Sequence, residues 1–91
     1  MVYLITFDLN GDDSNGVAIL AAIGQLGLTK NCMANTVLLD YDGTKDCVYD
    51  SLVPLLKPGD RIFINMVEKE KYAGRTYKVD CVWAWLRDRL A

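Results

Sequence analysis

Val2 to Leu9 alternates without a break: Tyr3, Ile5, Phe7 and Leu9 share a strongly apolar face, and Val2, Leu4, Thr6 and Asp8 a mixed one. That period of two predicts a strand covered on at least one side. Asn10 to Gly16 is dense in turn and cap residues. A helix is predicted next, with Ile19, Leu20, Ile23 and Leu26 as its inward stripe and Gly27 as its stop. Leu28 to Cys32 and Asn35 to Tyr41 read as two strands joined around Met33-Ala34. Thr44 suits the N-cap of a second helix with the core stripe Val48, Leu52, Leu55 and Leu56. Pro54 removes one helical hydrogen bond, so that helix kinks or ends early. Arg61 to Val67 is a further strand, Glu68 to Tyr77 a charged loop, and Lys78 to Leu90 returns to helical spacing, with Val79, Val82, Trp83, Leu86 and Leu90 on one face.

The order is therefore β-α-β-β-α-β with an added C-terminal helix. It predicts a single α+β domain over residues 1–91, a ferredoxin-like antiparallel sheet with both internal helices on one face. Leu4, Leu38 and Phe63 fall on the other face. Leaving them wet forfeits about 1.5–3 kcal/mol per large side chain, so that face needs the C-terminal helix or a second copy of the chain. A homodimer is the expected solution.

Composition narrows the chemistry. Twelve acidic against ten basic side chains give a net charge of −2, which offers no general excess for neutralising phosphates. The imbalance is local: residues 1–45 carry two basic and five acidic groups, residues 46–91 eight and seven. No histidine is present, which removes the commonest general base and transition-metal ligand. Cys32, Cys47 and Cys81 are widely spaced without a C-x-x-C pair and read as reduced thiols, with Cys47 and Cys81 partly shielded beside Val48 and Val82. No apolar run reaches membrane-spanning length, and no basic leader precedes the first strand; the expected location is cytoplasmic, with no membrane partner.

Two constellations carry candidate chemistry. Asp8 and Asp40 share the mixed sheet face if the register permits, and two carboxylates there suit Mg²⁺ or Mn²⁺, which polarises a phosphodiester and activates water. The competing reading makes Asp8 a turn cap and Asp40 the opening of the next turn. The run from Glu68 to Lys78 interleaves Lys69, Lys71, Tyr72, Arg75 and Tyr77, which suits contact with single-stranded nucleic acid or a partner; Glu68 and Glu70 dilute it towards an ordinary solvated loop. Asp8 to Ile19 fails as a calcium loop, with Asp13 and Ile19 where Gly and Glu belong, and the glycine turn lacks a phosphate-cradling Gly-Lys-Ser/Thr.

Tyr3-Leu4-Ile5-Thr6-Phe7-Asp8-Leu9, Asn35-Thr36-Val37-Leu38-Leu39, Asp60-Arg61-Ile62-Phe63-Ile64 and Val82-Trp83-Ala84-Trp85-Leu86 together resemble one group over essentially the whole chain. It is the small CRISPR-associated ferredoxin-like nuclease family (the second adaptation subunit) with its stand-alone, SinR-like relatives. The resemblance implies a homodimer whose first-strand aspartates approach each other and bind a divalent metal; Asp8 stands at that position. Members include metal-dependent nucleases and non-catalytic scaffolds of spacer acquisition. The expectation is a small dimeric interaction or regulatory protein linked to prokaryotic antiviral defence or mobile elements, non-catalytic or weakly active. A phage-encoded inhibitor that meets a protein partner through its acidic surface falls within it. The alternative is a Mg²⁺-dependent endonuclease or ribonuclease acting through Asp8 at the dimer interface.

Overall fold

The computed structural model describes residues 1–10, 14–75 and 79–90, with side chains for these except at 14 and 79–81. Four strands, β1 (Val2–Asp8), β2 (Leu28–Met33), β3 (Thr36–Asp40) and β4 (Arg61–Val67), form one sheet in the order β2-β3-β1-β4. Every neighbouring pair is antiparallel, with Leu4 opposite Leu38 on one side and Asn65 on the other. Three helices complete the α+β architecture: α1 (Ser14–Leu26), α2 (Lys45–Leu52) and α3 (Val79–Leu90). The arrangement is compatible with a ferredoxin-like fold.

The period-two pattern of β1 becomes two separate cores. Tyr3, Ile5 and Phe7 join Val37 and Leu39 beneath Ile19 and Ile23 of α1 and Val48 and Leu52 of α2. Val2 and Leu38 face the other way and pack with Cys32 under Val82 and Leu86 of α3, with Leu4 and Val67 partly buried at the margin. The C-terminal helix therefore covers the second face over Leu4 and Leu38, and the expected second copy is not needed there. Phe63 lies beyond the helix and remains 64% exposed.

Local signals act as their chemistry predicts. Thr44 Oγ1 accepts from the Cys47 amide at 3.2 Å and starts α2. Pro54 ends α2 at Leu52 and leaves one 3-10 turn, Val53–Leu55. Three expectations need correction. Leu20 is 42% exposed; Ile19 and Ile23, one helical turn apart, take the inward positions and Leu20 rotates off their stripe. The β2–β3 turn sits at Ala34-Asn35, one residue late, because a bulge lengthens β2 between Asn31 and Met33 and Asn35 takes the left-handed conformation (φ 58°). Cys47 is exposed, on the outer side of α2 next to buried Val48; Cys81 lies outside the described side chains.

Gly27 ends α1 against the sheet: a Cβ there would fall 2.1 Å from the Asp40 carbonyl oxygen, a backbone atom that cannot step aside. Gly27→Ala is expected to cost about 1–3 kcal/mol through forced backbone displacement, read as a lower denaturant midpoint with an unchanged m value.

Candidate functional site

The sheet half that α3 leaves open is built by register. Thr6 of β1 stands between Thr36 of β3 and Phe63 of β4, and Asp8, the last residue of β1, stands opposite Arg61. Thr6 Oγ1 and Thr36 Oγ1 are 3.0 Å apart, which gives each hydroxyl a partner on this face. Asp8 is exposed. Asp40 pairs with Val2, so it shares the Asp8 face but lies six residues along the strand, about 20 Å away at 3.3 Å per residue. Two carboxylates so far apart cannot share an ion whose ligands lie about 2.0–2.1 Å from it. Within one chain, therefore, the proposed Asp8–Asp40 ligand set does not assemble. No group of three His, Cys, Asp or Glu side chains is placed to hold a metal among the described residues.

Asp40 has a different engagement. Its Oδ2 lies 3.4 Å from Arg89 Nε, and the Arg89 guanidinium sits 4.2 Å from the centroid of the Trp85 ring. Arg89 Nε is buried with no directed hydrogen bond among the described residues, so the contact is an ion pair backed by cation–π attraction. It ties the end of α3 to the end of β3.

Among the described residues the carboxylate with the most hydrogen-bond partners is Asp60, to which the sequence assigns no site role. Its oxygens accept from the backbone amides of Asn10 (2.7 Å) and Lys57 (2.8 Å) and from Asn15 Nδ2 (3.1 Å). Asn15 Nδ2 also donates to the Leu55 carbonyl at 2.7 Å. One carboxylate thus joins the segment after β1, the start of α1 and the turn before β4. These backbone bonds hold its pKa below the ordinary aspartate value. Gly59 permits the turn: it has φ +90°, and a Cβ there would meet Asn10 Nδ2 at 2.6 Å. The Asn10 and Asn15 partners of Asp60 lie 50 and 45 residues away in the chain, beyond the reach of a local pattern.

The charged loop is more engaged than an open binding patch. Lys71 Nζ pairs with Glu68 Oε2 at 3.0 Å, within a turn in which Glu70 adopts φ 63°. Tyr72 stacks on Trp83 of α3, ring centroids 5.8 Å apart and planes 18° from parallel. Lys69 and Arg75 are exposed, and Tyr77 lies outside the described residues. Between this loop and α3 runs a cleft of about 560 Å³ lined by Lys69, Glu70, Tyr72, Trp83, Arg87 and Leu90. Trp83, Arg87 and Leu90 follow i, i+4, i+7 spacing, a stripe beside the inward Val82–Leu86 pair. Trp83 and Trp85 both pack, partly buried, against the second core; the repeated stripe with a cation at its centre was the available signal for a cleft. Burial raises the pKa of the Cys32 thiol, which leaves it protonated and inert as a nucleophile.

No protein-family model, curated protein or solved structure matches the chain.

A depressed carboxylate pKa stabilises the fold above the unfolded value of about 3.9, and that contribution is lost as pH falls through the lower folded value. Asp60→Asn is expected to melt below the parent at neutral pH, and the gap should close as pH drops under about 3.9. Thermal melts of both proteins across that range check the sign; a gap that stays constant contradicts the assignment.

Proposed function

We propose that the chain is a small interaction protein on a ferredoxin-like scaffold, working as a homodimer through the open half of its sheet, non-catalytic or weakly active. One observation carries the reading: Phe63 stands 64% exposed on edge strand β4, in the half-face that α3 does not reach. An unpaired strand edge offers free backbone groups to a second chain, and an exposed aromatic beside it adds apolar area to such a contact. The surrounding charges suit a second copy. Asp8 and Arg61 are register partners at the same corner, so a two-fold places an acid against a base and a base against an acid. A link to prokaryotic defence or mobile elements rests on the sequence resemblance alone, as does a role as a phage-encoded inhibitor of a protein partner.

A second reading, a Mg²⁺- or Mn²⁺-dependent nuclease, is supported by Asp8 lying on the same half-face. Its ligand set would need the second copy's carboxylate, because Asp40 is too distant.

Light scattering at high micromolar concentration should report about twice 10.2 kDa, and Phe63→Lys should give a monomer with an unchanged far-ultraviolet spectrum; a monomeric parent refutes the dimer. The nuclease reading is judged separately by thermal melts with Mg²⁺ or Mn²⁺. The expected result is no metal-specific rise in melting temperature. A rise that Asp8→Asn abolishes would favour the nuclease instead.

A further inference from the structure

The cleft between the loop of residues 68–75 and α3 has the size and chemistry of a small-molecule site, and it is independent of the open sheet half. Its volume of about 560 Å³ lies inside the roughly 300–1,000 Å³ range of ligand pockets. The wall is aromatic: Tyr72 and Trp83 lie stacked on each other, which leaves only the outer face of the pair for a further ring, and Leu90 lines the cleft beside them. Among the described residues the charged lining is two cations, Lys69 and Arg87, and one carboxylate, Glu70. Lys69 and Arg87 are both exposed, which leaves their side chains free to turn towards a ligand. Neither is among the ion pairs found for the described residues, whereas neighbouring Lys71 is held by Glu68. The Glu70 backbone sits in the left-handed region, uncommon for a side chain of its type, and this conformation fixes the turn that forms the cleft's outer rim.

We propose that this cleft binds a small planar aromatic molecule bearing one anionic group, its ring extending the Tyr72–Trp83 stack and its charge held by Lys69 and Arg87. A ring stacks on Trp and Tyr through dispersion and quadrupole complementarity, which every planar aromatic provides. The guanidinium of Arg87 offers a fork of donors that matches a carboxylate or phosphate in two hydrogen bonds, and Lys69 adds a mobile point charge. Glu70 sets a limit on the ligand: its carboxylate repels a polyanion. A compact ligand fits these constraints better than a nucleic-acid strand. Two sources share the required chemistry, a nucleoside monophosphate and an aromatic carboxylate.

Titration of the parent chain with adenosine monophosphate and, separately, with anthranilate, followed through the tryptophan indole N–H resonances, tests the site. The Trp83 resonance should move with one ligand or both while that of Trp85, engaged by Arg89, stays nearly fixed; which ligand acts identifies the source. Adenosine, with the ring and without the phosphate, should bind at least about tenfold more weakly, as expected for a loss of charge-assisted bonds. Lys69→Gln and Arg87→Gln alter exposed side chains, leave the core packing of α3 alone, and should each weaken binding by about three- to tenfold through one lost anion contact. The proposal is overturned by no Trp83 response to either ligand at millimolar concentration, by equal affinity for adenosine and its monophosphate, or by affinities that both variants leave unchanged. A response confined to an oligonucleotide, or to an acidic peptide, overturns it too.

Discussion

The central strand pair, β1 with β3, buries residues on both faces, and the rest of the structure follows from having to cover it twice. Thr36, Val37, Leu38 and Leu39 are all buried, although alternate residues of a strand point in opposite directions. No single layer of helices satisfies such a strand. Helices α1 and α2 close one side over Tyr3, Ile5 and Phe7, and α3 closes the other over Val2 and Leu38. Each large side chain buried in this way contributes about 1.5–3 kcal/mol, so the second cover is a requirement of stability. It is also incomplete. α3 spans 12 residues, about 18 Å at 1.5 Å per residue, and serves the Val2–Leu4 end of the strands. The Thr6–Asp8 end, with Phe63, is left to water or to a partner.

Two aspartates near that end illustrate how little residue type says about role. Asp8 and Asp60 flank adjacent stretches of the same edge of the molecule, since Asp8 pairs with Arg61. Asp60 receives three N–H donors and is consumed by architecture, joining the segment after β1, the start of α1 and the turn before β4. A carboxylate so saturated has little acceptor capacity left for a metal or a substrate. Asp8 stands exposed at a strand end, open to whatever meets the sheet.

Local pattern was legible because it depends on neighbours in the chain. The alternation of β1, the Thr44 cap, the break at Pro54 and the stop at Gly27 all operate within one or two turns. What failed depends on register and on packing between distant segments. Asp8 and Asp40 were correctly assigned to one face, but period-two reasoning fixes a face and leaves position along it open. Tyr72 looked like a free stacking residue beside lysines; its partner Trp83 is on another element, and stacking there makes it part of a wall. Leu20 satisfied a helical stripe as well as Ile19 did, and only the real tilt of α1 on the sheet chose between them.

The dual role of α3 explains why its sequence carries so mixed a pattern. The inward stripe, Val82 and Leu86, packs into the second core, and Arg89 reaches Asp40 from the next position along. One residue around the helix, Trp83, Arg87 and Leu90 form the cleft wall. Trp85 belongs to neither stripe and instead supports the Arg89 guanidinium, which shields the ion pair from water on one side. Trp83 and Leu90 also pack, partly buried, against the second core, so both stripes contribute to the cover, whereas the exposed cation Arg87 adds nothing to it. Packing therefore accounts for Val82, Leu86 and Arg89 and for part of Trp83 and Leu90, while Arg87, exposed on the cleft opposite the loop that carries Glu70, has no part in that packing.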